Sequence, residues 1–280
     1  MNSRLTISGF GIAGNSAGHL DQTGEITALD ISDGADKPRA LFPFFLPKAS
    51  DDYLSLDPYS SDTLLLPKNG DARVQMEAEL AVRFEVVYGD GGRVQKLTPL
   101  AMTVINDATY RNCQAVKLAQ KKNWGSASKG LASSEIGIDS FDEGSGIEHY
   151  RLCGFHYSEG TWGLNGRDTS ITDYTVFYHE LIQWIERQIE AQRDEGAMHD
   201  IQTLLKESEY PRCMYVAVGA VRYTELGEAH HLKPSDKTAV VLYSDKSHTL
   251  EGIRTDLENG SLFSGDDIVG LIQEVKATTG

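Results

Sequence analysis

The segment VQMEAELAVRFEVVY, residues 74–88, alternates between two kinds of side chain. Met76, Ala78, Leu80, Val82, Phe84 and Val86 share one parity, and Gln75, Glu77, Glu79, Arg83 and Glu85 share the other. A period of two belongs to a β-strand with one apolar face, because successive side chains leave a strand on opposite sides. GDGG at 89–92 ends the strand in a turn. LAMTVI at 100–105 then follows as a second strand, closing on Asn106-Asp107.

Outward from this pair the chain stays rich in strands. Toward the N-terminus, LTISGFGIAG at 5–14 reads as a strand entering a Gly-rich turn, ITALD at 26–30 as a short strand, and TLLLP at 63–67 as another, stopped by Pro67. Residues 33–62 read as a Pro-, Ser- and Asp-rich loop whose aromatic residues pack it down. Toward the C-terminus, TYRNCQAVKLAQKK at 109–122 reads as a helix. The segment 171–195 reads as the longest helix, with Phe177, Leu181, Ile182, Ile185 and Ile189 on one face and Gly196 as its stop. MYVAVGAVRY at 214–223 and TAVVLYS at 238–244 are strands, and HTLEGIRTD at 248–256 is expected to pair with the latter. SLFSGDDIVGLIQEVKA at 261–277 reads as a short helix with Ser264 and Asp267 as a reciprocal N-cap. No repeat and no shift of composition divides the chain, so a single domain over 1–280 is expected. Strand-heavy order without regular strand–helix alternation gives the α+β class.

Composition narrows the function. Hydrophobic residues at 40% and charged residues at 24% suit a folded soluble domain. The 41 acidic residues outnumber the 26 basic ones, for a net charge of −15. That field repels phosphate backbones and gives no attraction to anionic lipid, so neither nucleic acid nor membrane is an expected partner. Cys113, Cys153 and Cys213 are scattered and odd in number, which implies no disulfide framework. No basic-then-apolar leader and no long apolar span is seen, and a cytoplasmic protein is expected.

Gly9, Gly11 and Gly14 spell G-x-G-x-x-G after a strand, with Asp30 at the spacing of a ribose-binding acid. The crossover helix that a dinucleotide site needs is absent from NSAGHLDQTGE, residues 15–25, where glycines recur and apolar anchors are few. NAD binding is therefore a minor alternative.

Glu77 and Glu79 stand two residues apart on one strand and point to the same side, opposite the apolar row. Carboxylates that close repel unless a cation lies between them. Asp107, at the end of the neighbouring strand, can complete an all-oxygen set suited to Mg²⁺, or to Mn²⁺ or Ca²⁺, rather than Zn²⁺. A solvated strand face accounts for the same alternation, with Arg83 and Glu85 on it.

Around these residues the chain resembles the fumarylacetoacetate hydrolase family. MEAELAV at 76–82 is similar to its metal strand, NDATYRNCQ at 106–114 to the motif that follows, and NWGSASKG at 123–130 to the segment with its active-site lysine. LFPFFLPK at 41–48, NGRDTS at 165–170 and LKPSD at 232–236 resemble further family segments. The resemblance implies a β-rich mixed-sheet roll with peripheral helices, assembled as a homodimer. It implies a metal on Glu77, Glu79 and Asp107, an active-site Lys129, and Arg111 with Gln114 at the substrate acid. Its members hydrolyse, decarboxylate, hydrate or isomerise 2-oxo or 1,3-dicarbonyl acids.

Residues 1–30 then hold N-terminal strands and an active-site loop. The family places Asn-Tyr, a histidine and a glutamate three residues later there; Asn15 and His19 match, whereas Ser16 and Gln22 depart. Gln22 can accept the imidazole N–H but supplies no charge, so His19 is a weaker base unless Asp21 or Glu25 takes that place. A Thr-Gly-Thr-Pro-like turn that holds the substrate carboxylate is replaced by Val218, Gly219, Ala220 and Val221, which leaves main-chain amides such as that of Gly219. The expected function is a metal-dependent enzyme on a small carboxylic acid, cleaving, decarboxylating or tautomerising it through a metal-held enolate, with His19, Gln22 and Lys129 as catalytic candidates. The competing expectation is a divergent member that binds a metal, a ligand or a protein partner without hydrolysis.

Other residues draw simpler readings. His179-Glu180 lacks the second histidine of a zinc helix, and His230-His231 reads as surface. Asp168 and Asp173 read as caps, Tyr174, Tyr178 and Trp184 as packing residues, and Cys113 as a buried thiol on a helix.

Overall fold

The computed structural model describes residues 7–16, 22, 38–261 and 263–278. In chain order its strands are β1 (Ile7–Ala13), β2 (Ala40–Phe45), β3 (Tyr59–Ser60), β4 (Thr63–Leu65), β5 (Val74–Gln75), β6 (Ala78–Tyr88), β7 (Val94–Asn106) and β8 (Thr109–Tyr110). They continue as β9 (Lys129–Leu131), β10 (Ile136–Gly137), β11 (Tyr150–Ser158), β12 (Thr161–Ser170), β13 (Cys213–Ala220), β14 (Lys237–Ser244), β15 (Ser264–Gly265) and β16 (Ile268–Lys276). The helices are α1 (Asp52–Ser55), α2 (Tyr178–Ala191), α3 (Ile201–Glu207), α4 (Glu225–Ala229) and α5 (Leu250–Glu258).

One mixed sheet runs β2-β1-β13-β6-β7-β9-β3, with β10 beside β7. A second runs β12-β11-β14-β16-β15, with β4 beside β16. Pairing is antiparallel except at β1–β13, β3–β9 and β4–β16. Strands β11, β14 and β16 pack across β6 and β7. The apolar row of residues 76–86 faces them, so Leu80 and Val82 share a core with Leu152, Val240, Leu242 and Leu271. The fold is thus the expected α+β class: curled mixed sheets with short peripheral helices.

The opposite face of β6 is not solvated along its first half. Phe42 and Phe44 of β2 and Leu118 form a second apolar cluster with Ala81, Ile105 and Ala217 there. Glu77 and Glu79 lie beneath that cover, while Glu85 and Val87 further along are exposed.

Several local expectations are corrected. Residues 109–122 are not a helix. Thr109 and Tyr110 pair with Gln75 and Val74, and the Arg111 amide donates to the Arg73 carbonyl. A 3₁₀ turn, Leu118–Lys121, comes only afterwards. Residues 248–256 are not a strand: Thr249 caps α5 by accepting from the Gly252 amide at 3.1 Å, and Ile253 and Leu257 are buried one helical turn apart. Residues 261–277 are not a helix. Val269, Leu271, Gln273 and Val275 are buried at period two in β16, and Asp267 sits in the turn from β15.

The long helix is shorter than 171–195, because Asn15 and Gln192 hold the chain extended at its two ends. The Asn15 carboxamide pairs with both main-chain groups of Val176, and Gln192 Nε2 donates to the Leu41 and His199 carbonyls. Of the loop expected over 33–62, the described residues 38–62 do pack, but they contain β2, whose Pro43 is tolerated at a sheet edge. Asp168 is no cap: it pairs with Arg151 at 2.7 Å, and Ser170 caps the 3₁₀ turn Ile171–Asp173. Cys113 lies in a turn, half-buried. The segment 26–30, with Asp30, lies outside the described residues.

Candidate metal centre

Between β5 and β6 the ladder is interrupted at Met76 and Glu77. The side chain of Asn106 fills the gap, its Oδ1 accepting the Glu77 amide at 3.1 Å, while the Asp107 amide donates to the Glu77 carbonyl at 2.9 Å. Asn106 is itself fixed by donating to Gln273 Oε1 at 3.0 Å and Thr238 Oγ1 at 3.3 Å. This strut holds the end of β7 against the start of β6 and brings the three acids together. One oxygen from each of Glu77, Glu79 and Asp107 lies within 4.8 Å of the others. The three residues are 3%, 3% and 0% exposed. At about 4 Å and an effective dielectric near 20, two such charges repel by about 4 kcal/mol, so the cluster needs positive charge.

Among the described residues, three cations meet it. Arg111 Nη2 donates to Glu77 Oε1 at 2.5 Å, and its Nε donates to Gln75 Oε1 at 2.8 Å. Lys122 Nζ donates to Glu77 Oε2 at 2.6 Å and to Asp107 Oδ2 at 2.5 Å. Lys129 Nζ stands 2.8 Å from Asp107 Oδ1 and donates to the Ala108 carbonyl at 2.6 Å. Burial pulls the Lys129 ammonium down to about 8, with Asp107 opposing and Lys122 adding to the fall. Glu79 is the least compensated acid. Its Oε2 accepts the Gly219 amide at 3.0 Å. Burial pushes its carboxyl well above the ordinary range, and the charge of Asp107 adds to the rise against the pull of Lys122.

The turn after β13 shapes the remaining wall. Gly219 has a φ of +143°, and a Cβ there would meet Asn15 and Tyr174 at 3.4 Å. The Tyr174 hydroxyl donates to the Gly219 carbonyl at 2.8 Å, and Asn15 Nδ2 donates to the Val218 carbonyl at 3.0 Å. A cavity of about 20 Å³, bounded by Glu77, Glu79, Lys122, Phe42, Asn15 and Gly219 among others, lies between this turn and the acids. That volume holds a water molecule or an ion, not a carboxylic acid substrate.

Of the other candidates, Gln22 pairs with the main chain of Tyr223, accepting from its amide at 2.9 Å and donating to its carbonyl at 3.3 Å. Gln114 is exposed. Lys129 sits behind Asp107, 5.9 Å and 5.6 Å from the rings of Phe44 and Trp124. His19, Asp21 and Glu25 lie outside the described residues. Sequence reading missed Lys122, Gln75, Tyr174 and Tyr223; the Tyr223 hydroxyl donates to the Met76 carbonyl at 2.9 Å and accepts from Arg111. Gly9 and Gly11 lie within β1, where a Cβ would strike Tyr59 and the Phe44 and Phe42 rings. Close packing accounts for both glycines.

The donor set fits a hard divalent ion. All three candidate donors are buried carboxylates, and Glu79 lacks the positive charge that such an ion would supply. Fold and site together define a protein of the fumarylacetoacetate hydrolase type of α+β fold. The chain belongs to a family of unknown function (DUF5718), matched over residues 25–275. Among solved structures it is similar to 2-keto-3-deoxy-D-arabinonate dehydratase complexed with magnesium and 2,5-dioxopentanoate. That match has 16% identity and a TM-score of 0.52, covering 99% of this chain and 74% of that one. A 5-carboxymethyl-2-hydroxymuconate delta-isomerase from Mycobacterium smegmatis matches at 13% identity and a TM-score of 0.54, covering 99% and 81%. A protein from Yersinia pestis CO92 assigned to the fumarylacetoacetate hydrolase family matches at 15% and 0.51, covering 84% and 88%. At these identities the likeness is one of fold. No curated protein matches the chain. Among the described residues, no helix is long and apolar enough to cross a membrane.

Proposed function

We propose that the protein is a divalent-metal enzyme acting on a small 2-oxo or 1,3-dicarbonyl carboxylic acid, with Glu77, Glu79 and Asp107 as its ligands. The observation that carries this reading is the convergence, within 4.8 Å, of three buried carboxylates from β6, the gap before it and the residue after β7. A bound Mg²⁺ or Mn²⁺ supplies Lewis-acid polarisation of a substrate carbonyl. Arg111 holds Glu77 in place through its further bonds to Gln75 and Tyr223. Lys129 acts through Asp107 as a positioning residue. Gln114 takes the substrate acid, joined by the Gly219 amide once Glu79 releases it, and His19 moves the proton, with Gln22 anchoring its segment to Tyr223. The 20 Å³ cavity has to widen for substrate to enter. A homodimer is part of this proposal.

Calorimetric titration of the full chain with Mn²⁺, with and without oxalate as a mimic of the enolate, tests it. Metal binding that is lost in Asp107→Asn, together with oxalate binding that requires the metal, is the expected result. Absence of divalent-ion binding overturns the proposal. A second reading, binding without turnover, is favoured by Gln22, whose carboxamide is engaged by the Tyr223 main chain and brings no charge to a histidine. Oxalate binding without turnover of any 2-oxo or 1,3-dicarbonyl acid would select it.

A further inference from the structure

We infer that Lys122 is a tethered competitor for the divalent ion, its ammonium holding the place between Glu77 and Asp107 whenever no ion is there. The inference rests on the metal reading above and adds to it a residue that sets metal affinity. Lys122 Nζ lies 2.6 Å from Glu77 Oε2, 2.5 Å from Asp107 Oδ2 and 3.4 Å from the Asp107 carbonyl oxygen. It is 3% exposed and lines the cavity beside Glu79. Its ammonium is 5.2 Å from the centre of the Phe42 ring, which closes that side with an aromatic face.

A hard divalent ion would sit about 2.0–2.6 Å from the same carboxylates. It and the ammonium would then draw on the same two acids while repelling each other in a buried site. Charge points the same way. Among the described residues, Glu77, Glu79 and Asp107 bring three negative charges, and Arg111, Lys122 and Lys129 bring three positive ones. An ion added with all three cations in place leaves two uncompensated positive charges. The cation that gives way is Lys122. Its ammonium bridges Glu77 and Asp107 at the cavity beside Glu79, whereas Arg111 is paired with Glu77 and Lys129 with Asp107. Lys122 follows directly on the short 3₁₀ turn Leu118–Lys121, an element with a single turn to re-form when the side chain withdraws.

The test is Mn²⁺ titration of wild type and Lys122→Met, a side chain of similar length without charge, with hydrogen exchange of wild-type residues 118–123 read alongside. The expected result is Mn²⁺ affinity at least ten-fold tighter in K122M, and faster exchange over 118–123 when Mn²⁺ is added to wild type. Equal or weaker affinity in K122M, with wild type still binding Mn²⁺, overturns the competitor and leaves the metal centre standing. Binding by neither protein overturns the metal centre and the competitor with it. Should K122M fail to fold, Lys122→Gln replaces it. If that variant also fails, wild-type exchange decides: unchanged or slower exchange over 118–123 on Mn²⁺ addition overturns the proposal.

Discussion

Glu79 differs from its two partners in what surrounds it. Glu77 and Asp107 each meet two cationic groups, whereas the described polar partner of Glu79 is the Gly219 amide. Burial therefore holds its carboxyl well above the ordinary range, and ionising it at neutral pH costs folding free energy. Glutamine keeps an oxygen for the Gly219 amide and removes the charge. Glu79→Gln is expected to leave stability unchanged or raise it by about 1–2 kcal/mol in urea denaturation of metal-free protein, and to weaken Mn²⁺ binding at least ten-fold. A loss of stability beyond about 2 kcal/mol would show that the native cluster needs the ionised carboxylate. The pair Glu77/Glu79 was legible in the sequence because strand alternation is a local property. Lys122 was not: it follows another lysine and carries no periodic signal, and its charge counts only once the chain after β8 folds back over the carboxylates.

At the scale of elements, the end of β1 is tied to two segments remote in sequence. Asn15 Nδ2 donates to the carbonyls of Val176 and Val218, at 3.1 and 3.0 Å, and its Oδ1 accepts the Val176 amide at 2.8 Å. All three bonds are buried, so their loss strands main-chain groups that water does not reach. Asn15→Ala is expected to cost about 2–4 kcal/mol and to loosen the Val218–Gly219 turn, weakening Mn²⁺ binding several-fold in the same titration. Unchanged stability would mean that water replaces the carboxamide. Such ties also explain which elements were misread. α5 is a nine-residue helix containing Gly252 and β-branched Thr255, weak in propensity and made by burying Ile253 and Leu257 against the second sheet. β16 carries enough apolar residues to pass for a helix until the neighbours β14, β4 and β15 take up its main-chain groups.

For the whole molecule, His199 joins the periphery to the core. Its Nε2 stands 3.0 Å from the Tyr53 hydroxyl of α1 and 3.4 Å from Asp51, and its carbonyl accepts from Gln192 at the end of α2. Burial lowers its pKa, with Asp51 opposing. With the folded pKa below the unfolded value of about 6.5, the unfolded chain takes the proton first as pH falls. The stability contributed by the neutral ring is therefore full above about pH 6.5 and declines below it, until the folded form titrates as well. Urea midpoints measured from pH 7.5 to 5.5 should fall more steeply in wild type than in His199→Gln. Identical slopes would remove His199 as the cause.

The sequence by itself determined the α+β class, the central strand pair and the acidic residues on one of its faces. Each of these follows from alternation, turn residues and short-range spacing, which depend on neighbours along the chain. Only the tertiary structure decided that this face is buried beneath Phe42 and Leu118, that Asn106 props Glu77 against Asp107, and that Lys122, forty-five residues beyond Glu77, reaches the same carboxylates. Those facts depend on which remote segments the hydrophobic layers press together, and charges acquire their partners and their cost only after water has been excluded.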